Sequence, residues 1–347
     1  MNFRGVAAAS LLAAFGCADA VATPNQDLLL FNGSHFVGAT VDMNFATGQY
    51  FGLSPSQLTV SRASTEYEVC NGTLYGPFAA NALAITPCGA WIWEARTNLF
   101  LNNNAPATQT VAVTSGGYYS VSFYGAGTLT LSGACATTMT GTAFPARTMY
   151  SCQASTTSLT TTVTTLGTMQ LPQVEANPNA NSVGTSFASG PIPTAGSAVT
   201  RAATSAVAVT ANCPNPSLYT YGASYGINTN NIEYLAWYGT GTSNILTTGY
   251  GNTTGNLFIA SNTSSVSWGF TGSAGVNGVY HKLAVTQINV NLTGSIDGVL
   301  QGPHSFGAAL VVSPSWIYLG QNPYAGNYLN GPLARLALGC GVSLNGR

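Results

Sequence analysis

The sequence has very little charge. Only 5% of its 347 residues are charged, with 8 basic and 9 acidic side chains and a formal net charge of -1, whereas soluble domains usually carry about 25%. So few cations cannot form the basic surface that neutralises nucleic-acid phosphates, which excludes nucleic acid as a partner. So few carboxylates also leave little material for a two-acid or metal-assisted active site.

Metal-ligand patterns and long apolar runs are lacking as well. His35, His281 and His304 are scattered, and no cysteine lies in a Cys-x-x-Cys motif, so we expect no metal and no cofactor. Beyond the first 20 residues, no stretch has the roughly 20 uninterrupted apolar residues that a membrane span needs. We therefore expect no membrane span.

Aromatic and turn-forming residues are plentiful. The chain has 17 Tyr, 14 Phe and 5 Trp, together with 40 Gly and 16 Pro, which is far more apolar material than a disordered chain contains. Short alternating runs such as 118–124 and 128–131 recur between Gly, Asn and Pro clusters, and helical periodicity is nearly absent. The chain is therefore predicted to be all-β. Asp297-Gly298 favours a two-residue hairpin turn.

The N-terminus has the pattern of an export signal. Arg4 precedes an apolar stretch, 6–15, and Ala18-Asp19-Ala20 fits a small-x-small cleavage site. Residues 1–20 are therefore predicted to be a signal peptide, and the protein is predicted to be secreted or at the cell surface. The alternative is an N-terminal apolar segment that packs within the protein.

The cysteines suit an oxidising compartment. Removal of Cys17 with the signal peptide leaves an even number, and the sequence alone allows many pairings. Two pairs are each separated by about one hairpin, and a third brackets the last part of the chain. We expect the disulfides Cys70–Cys88, Cys135–Cys152 and Cys213–Cys340.

Several segments resemble a module of phage tail-fibre and head-spike proteins. Ser-Arg-Ala-Ser-Thr at 61–65 precedes Glu-Ala-Arg-Thr-Asn-Leu at 94–99, an order that is common in those proteins. The middle of the chain is similar to their carbohydrate-binding-module-like sandwich, and the last part looks like a concanavalin-A-like or laminin-G-like jelly roll. The segments that carry these two likenesses are 117–123, 173–176, 185–187 and 192–203, and then 281–286, 295–299, 317–320 and 328–336.

The resemblance implies two β-sandwich domains after an N-terminal β segment. The predicted boundaries are 1–20 for the signal peptide, 21–96 for the N-terminal segment, 97–202 for the carbohydrate-binding-module-like sandwich and 203–347 for the jelly roll. A Pro- and Gly-rich stretch, 176–197, precedes the last boundary. Sandwich architectures of this kind are built from many short antiparallel strands.

The few charges are predicted to be structural. We expect Arg62, Glu94, Arg96 and Arg201 to form buried or half-buried ion pairs that dock the N-terminal segment on the sandwich, rather than to act in catalysis. Trp91 and Trp93, which directly precede Glu94, are predicted to pack between domains.

A hydrolytic pair of acids is harder to find. Glu66 and Glu68 lie two apart on a predicted strand, but near Arg62 a salt-bridged patch is the stronger interpretation. Glu233 and Asp297 are far apart in sequence, and Asp297 belongs to the predicted turn.

Neutral sugar-binding residues are abundant in the last domain. Aromatic rings stack on sugars, and amides bond their hydroxyls. The candidate ligand-binding residues are Tyr324, Tyr328, Asn322, Asn327, Trp237 and Trp268. The first four belong to one loop-like stretch, 322–328, whereas the two Trp lie in strand patterns, where a core role is the alternative.

The sequence therefore predicts a non-catalytic, adhesin-like protein that recognises a polysaccharide or cell-surface glycan through its C-terminal jelly roll. The first alternative is a phage or prophage tail-fibre or spike component that recognises the host as part of a virion, and the second is a polysaccharide-cleaving glycanase. The small net charge gives little repulsion between copies and favours homo-oligomers.

Overall fold

A computed structural model describes most of the chain. The described residues are 31–32, 35–36, 38–178, 180, 182–183, 187–210, 213, 215–226, 232–239, 244–251, 256–262, 267–275, 277–305, 315–322 and 327–341. The predicted signal peptide lies outside these ranges. Pro55–Gln57 forms a 3-10 turn, and within these ranges no helix has the length and apolar character to cross a membrane.

The first part of the chain contributes short strands to more than one sheet. Its strands are β1 (Phe31–Asn32), β2 (His35–Phe36), β3 (Ala39–Asn44), β4 (Gln49–Phe51), β5 (Thr59–Ser61), β6 (Glu66–Cys70), β7 (Thr73–Phe78), β8 (Ala84–Thr86) and β9 (Gly89–Ile92). β6 and β7 form a hairpin of their own. Its turn is Asn71-Gly72, where both residues have positive φ, as a type I′ turn requires.

The middle of the chain forms a smaller β-sandwich. Its strands are β10 (Arg96–Asn98), β11 (Gln109–Ala112), β12 (Tyr118–Tyr124), β13 (Gly127–Gly133), β14 (Thr137–Gly141), β15 (Arg147–Gln153), β16 (Ser158–Thr165), β17 (Gln170–Ala176) and β18 (Val199–Arg201). A five-stranded sheet in the order β15-β12-β17-β10-β18 packs on a four-stranded sheet in the order β11-β16-β13-β14. Val121 and Phe123 from the first sheet meet Leu129 and Leu159 from the second in one core.

The last part of the chain builds a larger sandwich. Its strands are β19 (Ser205–Thr210), β20 (Pro216–Gly222), β21 (Glu233–Gly239), β22 (Ile245–Tyr250), β23 (Asn256–Asn262), β24 (Ser267–Ala274), β25 (His281–Ile288), β26 (Asn291–Ile296), β27 (Val299–Ser305), β28 (Ser315–Leu319) and β29 (Gly331–Cys340). The seven-stranded sheet has the order β24-β23-β22-β21-β28-β19-β5. The nine-stranded sheet has the order β27-β26-β25-β20-β29-β3-β4, and its other two strands are β9, which also pairs with β29, and β8, which pairs with β9.

The core of the larger sandwich lies between these two sheets. Tyr238 and Leu246 of the seven-stranded sheet share a buried cluster with Leu218, Val285 and Leu336 of the nine-stranded sheet. The predicted all-β class with two β-sandwiches is confirmed. The larger sandwich occupies the part of the chain for which a jelly roll is predicted.

Strands from the N-terminal segment complete the larger sandwich. β3 pairs with β29 and places Val41 opposite Leu338, and β5 pairs with β19. β9 adds to the other half of β29. Strand pairing therefore joins the predicted segment 21–96 to 203–347, with the smaller sandwich inserted between them in sequence. The predicted boundaries themselves stay a prediction about folding units.

The structure forms three disulfides within the described residues, and they are the three pairs expected from spacing: Cys70–Cys88, Cys135–Cys152 and Cys213–Cys340. The Asp297-Gly298 turn also forms as expected, since Ile296 pairs with Val299 and both turn residues have positive φ.

Candidate functional site

More than half of the charged side chains in the described part of the chain lie at the junction between the two sandwiches. Eight charged side chains of the described residues lie there, and all but Arg147 are buried: Arg62, Glu66, Glu68, Glu94, Arg96, Arg147, Glu175 and Arg201. Buried charges are costly unless they are paired and hydrogen-bonded. The pairing of these buried charges therefore stabilises the packing of the chain segments that meet at the junction.

Two of the ion pairs at this junction join residues that are close in sequence, and a third joins Arg147 to Glu175 at 3.8 Å. Arg62 pairs with Glu66 four residues on, and both side chains are fully buried. Arg96 pairs with Glu94, and its guanidinium lies 4.4 Å from the Phe187 ring centroid. Three of the four residues expected in structural ion pairs, Arg62, Glu94 and Arg96, are placed in such pairs.

Arg201, the fourth residue, is held differently. It donates hydrogen bonds to the carbonyl oxygens of Gly190 at 3.2 Å and Glu94 at 3.5 Å. Its guanidinium lies 5.0 Å from the Trp93 ring centroid. Burial lowers the pKa of Arg201, while the charges of Glu66 and Glu68 oppose that shift. Arg201 therefore ties the smaller sandwich to the aromatic residues of the N-terminal segment.

A cleft of about 550 Å³ opens at this junction. Trp91, Trp93 and Tyr225 line one wall, with ring centroids 5.7 to 6.2 Å apart and planes within 29° of parallel. Tyr225 is 38% exposed, whereas the two indoles are almost completely buried. The Tyr225 ring is therefore the accessible surface of a rigid aromatic wall.

Hydrogen bonds fix the two indoles behind Tyr225. Trp91 Nε1 donates to Thr86 Oγ1 at 2.9 Å, and Trp93 Nε1 donates to Glu68 Oε1 at 2.7 Å. Trp91 belongs to β9 and Trp93 follows it by two residues, so strand alternation directs both rings to one side.

Glu68 lies on the floor of the cleft. Burial raises its pKa well above the ordinary value for Glu, and the nearby Glu66 carboxyl adds to the rise, whereas Arg201 and the Trp93 indole oppose it. The backbone of Gly190 packs so closely on Glu68 that an added Cβ would lie 2.6 Å from Oε2. A protonated carboxyl group here can both donate and accept hydrogen bonds.

β15 supplies the opposite wall. Arg147, Met149 and Ser151 alternate along it and line the cleft, because their strand neighbours Tyr150 and Cys152 face the core of the smaller sandwich. Met149 is 49% exposed at the rim. This wall therefore consists of the apolar Met149 side chain, the Ser151 hydroxyl and the Arg147 guanidinium.

Arg147 is held in place from several sides. Its guanidinium donates to the carbonyl oxygens of Ala188 at 3.1 Å and Ser189 at 2.6 Å, and to Ser122 Oγ at 2.9 Å. It also lies 5.1 Å from the Tyr124 ring centroid, and burial raises the pKa of Tyr124. The cleft is thus lined by rigidly held aromatic and polar groups.

The predicted ligand loop lies elsewhere. The Asn322 backbone amide donates to the Asn327 carbonyl oxygen at 3.0 Å, and Gln321 and Tyr328 form an antiparallel bridge. Asn322 is buried and Tyr328 is half-buried. Tyr324 lies outside the described residues. These side chains do not line the junction cleft.

The two predicted Trp candidates belong to the seven-stranded sheet. Trp237 is 5% exposed, and its ring contacts Tyr234 with centroids 5.2 Å apart. The Tyr234 hydroxyl also bonds the Asn322 side chain, so the structure places Trp237 and Asn322 around one tyrosine. The side chain of Trp268 lies outside the described part of the chain.

The remaining acids make separate contacts. Glu233 accepts a hydrogen bond from Ser224, and burial raises its pKa well above the ordinary value. Asp297 bonds His281 Nδ1 at 2.7 Å. Across the described ranges, no group of three or more His, Cys, Asp or Glu side chains is arranged to hold a metal ion.

Sequence reasoning identified only part of the cleft. Trp91 and Trp93 were expected in packing between domains, and Glu66 and Glu68 as a salt-bridged patch. Within each pair the two residues are two positions apart, and in extended chain this spacing directs both side chains to one face. That spacing was the signal in the sequence that could have indicated a shared site. Tyr225 follows β20 and has no local pattern that distinguishes it.

The sequence matches no protein-family model and no curated protein sequence. Among solved structures, the chain is similar to the CBM40 of the Ruminococcus gnavus IT-sialidase bound to alpha2,3 sialyllactose, at 14% identity over 36% of this chain and 75% of that one, with a TM-score of 0.31. It is also similar to domain 4 of AbnA, a GH43 extracellular arabinanase from Geobacillus stearothermophilus, in complex with arabinotriose (15% identity, 46% and 76% covered, TM-score 0.31).

A third similar structure is domains LG4-5 of the mouse laminin alpha1 chain, at 11% identity over 76% of this chain and 94% of that one, with a TM-score of 0.28. TM-scores this low do not support a fold assignment, so the fold of the chain is assigned from its own strand pairing.

Proposed function

We propose that the protein binds carbohydrate in the junction cleft without cleaving it. The observation that carries this proposal is the exposed Tyr225 ring, supported from behind by Trp91 and Trp93 inside a cleft of about 550 Å³. The apolar face of a pyranose stacks on such a ring. The cleft volume lies within the range of small-ligand sites, about 300–1,000 Å³.

Polar groups around the ring complete the proposed site. The Glu68 carboxyl group and the Ser151 hydroxyl line the same cleft as Tyr225, and such groups bond sugar hydroxyls without a large charge. Because Trp93 and Gly190 hold Glu68, binding needs little ordering of side chains, which favours affinity. This site differs from the predicted loop at 322–328.

Glycan binding would serve a secreted or surface adhesin-like protein. Three disulfides within the described residues favour an oxidising compartment. We expect culture medium to contain a chain that begins at Val21. A host-recognition protein of a phage virion is the alternative; it would be found in purified particles instead. Homo-oligomer formation stays a prediction.

The test is binding of the full mature chain to a panel of surface polysaccharides. We expect saturable binding that Tyr225→Ala weakens by about tenfold, because a lost stacking contact is worth about 1.4 kcal/mol, and that Tyr225→Phe retains. Trp316→Ala is the matched control, since Trp316 is 39% exposed and does not line the cleft. Equal weakening by the two alanine variants would contradict the proposed site.

One observation favours a glycanase as the second candidate. Glu68 has a raised pKa in an aromatic-lined cleft, which is a property of general acids. Its neighbour Glu66 is committed to Arg62, however, and a glycanase needs a second carboxylate across the scissile bond. Polysaccharide turnover that Glu68→Gln abolishes, with binding retained, would establish the enzyme and replace the non-catalytic proposal.

A further inference from the structure

Tyr124 brings a further polar group into the lining of the junction cleft. It is the last residue of β12 and lines the cleft, although only 6% of the residue is exposed. Tyr119, Val121 and Phe123 of the same strand belong to the core of the smaller sandwich. Because side chains alternate along a strand, Tyr124 lies on the opposite face, toward the cleft.

The ring of Tyr124 is held in place, whereas its hydroxyl group is unused. The ring centroid lies 5.1 Å from the Arg147 guanidinium and 6.0 Å from the Phe144 ring centroid. Within the described part of the chain, the Tyr124 hydroxyl makes no hydrogen bond to a protein group and is not sealed from solvent. A tyrosine hydroxyl at this depth usually has a partner, so we expect a ligand to supply it.

This hydroxyl lies in the same part of the cleft as the stacking ring of Tyr225. Burial raises the pKa of both tyrosines, and the charge of Glu68 adds to the rise in each. Tyr225 also contributes to the rise for Tyr124, so the two side chains are neighbours. The cleft therefore offers a ring for stacking and a hydroxyl group for hydrogen bonding around one carboxyl group.

Arg147, the one basic side chain among the described lining residues, is already compensated. Its two terminal nitrogens donate three hydrogen bonds to protein oxygens, and Nη2 lies 3.8 Å from Glu175 Oε1. Its Nε is buried without a partner and is therefore out of reach of a ligand. An anionic ligand would lose its hydration here without gaining a free cation. The cleft therefore favours uncharged ligands.

One end of the cleft is apolar and closed. Pro145 precedes by two residues Arg147, which pairs with Tyr124 across β15 and β12, and Pro145 and Val69 both line the cleft. The turn between β6 and β7 packs on this segment, since a Cβ added at Gly72 would lie 3.4 Å from Pro145 Cγ. A small apolar group can therefore be held at this end, beside the Tyr124 hydroxyl.

We propose that the junction cleft selects uncharged sugars that carry an N-acetyl group. This inference rests on the proposed function and names the class of sugar. The pyranose ring stacks on Tyr225, the acetamido carbonyl oxygen accepts a hydrogen bond from the Tyr124 hydroxyl, and the acetyl methyl group packs against Pro145. A sugar hydroxyl in the same position would use the hydrogen bond and leave the apolar end unfilled.

The test is calorimetric titration of the full mature chain with matched saccharides. Tri-N-acetylchitotriose and cellotriose share one backbone and differ in the acetamido or hydroxyl group at C2. N-acetylgalactosamine and galactose form the same comparison in the other ring configuration. We expect at least one acetylated probe to bind at least about fivefold more tightly than its counterpart, since burial of a methyl group contributes about 1 kcal/mol.

Variants then identify the group that reads the acetamido unit. Tyr124→Phe keeps the ring and removes the hydroxyl, and it should weaken binding of the preferred acetylated probe about fivefold, as expected for one lost hydrogen bond of about 1 kcal/mol. Tyr225→Ala should weaken it as well. Tyr50→Phe is the matched control and should retain the affinity, because Tyr50 is half-buried and does not line the cleft.

The outcomes separate this inference from the proposed function. Failure of both acetylated probes to bind, equal binding of their counterparts, or an affinity that Tyr124→Phe leaves unchanged would overturn the inference. The proposed function would still stand if a polysaccharide of the panel bound and Tyr225→Ala weakened that binding. Lack of binding by every saccharide would overturn the proposed function, and the inference with it.

Discussion

At the scale of single residues, the chain uses its scarce charges inside rather than on its surface. Arg62 with Glu66, and Asp42 with Arg335, are buried pairs. Glu68 and Glu233 are buried as well, and burial raises the pKa of each. These two groups give the protein an unusual dependence on pH.

We predict that stability falls as pH rises from the unfolded pKa of Glu toward the higher native pKa values of Glu68 and Glu233. Unfolded Glu has a pKa of about 4.3. Because Glu68 and Glu233 titrate higher in the folded chain, the native state binds more protons above that value. Their stabilisation is thus fully present below the unfolded pKa and is lost as pH rises toward the native one. Thermal melts across this range measure it.

The control for the pH prediction is the double variant Glu68→Gln, Glu233→Gln, which keeps the shape and cannot ionise. Its melting temperature should be flatter with pH and should exceed that of the parent at the alkaline end. A parent melting temperature that is constant or rises over the same range would contradict the prediction.

At the scale of strands, Gly294 of β26 lies where an Ile259 side chain from the facing sheet and the backbone of the neighbouring strand β25 both come close. A Cβ added at Gly294 would lie 2.1 Å from Ile259 Cδ1 and 2.3 Å from the Ala284 carbonyl oxygen. The second contact is with backbone, which cannot move aside alone. We predict that Gly294→Ala lowers the free energy of unfolding by about 3 kcal/mol, as measured in urea.

Gly48 provides the matched comparison for that substitution. It has a φ of +71° with no atom within 4 Å of an added Cβ. Gly48→Ala should therefore lower the free energy of unfolding by only about 1 kcal/mol, because alanine must adopt a left-handed backbone conformation. If Gly294→Ala cost no more than Gly48→Ala, the close approach of the sheets would not be present in solution.

Strand-level features were the most predictable from the sequence. Alternation identified β12, and Asp297-Gly298 identified the hairpin of β26 and β27, because both signals depend on neighbouring residues. The cleft was not predictable in the same way. Tyr225 reaches Trp91 only through the packing of β20 against distant strands, and no local pattern carries that information. The pairing of β3 with β29 is hidden for the same reason.

At the scale of the whole molecule, the larger sandwich depends on both ends of the chain. A fragment of residues 203–347 lacks β3, β5 and β9, which leaves β29 and β19 with unpaired edges. We predict that this fragment aggregates or melts without cooperativity. The fragment 94–203 keeps every strand of the smaller sandwich and should melt cooperatively, as followed by circular dichroism. Cooperative melting of 203–347 alone would show that the N-terminal strands are dispensable.

The central claim is that the junction cleft holds a glycan against its aromatic wall. The most direct measurement is the nuclear magnetic resonance spectrum of the indole N–H groups, of which the chain has five, during titration with a glycan that binds. Trp93 Nε1 bonds Glu68 on the cleft floor, and Trp91 stacks on Tyr225. The signals of Trp91 and Trp93 should shift to saturation while that of Trp316 stays fixed. Shifts confined to Trp237 or Trp316 would contradict the claim.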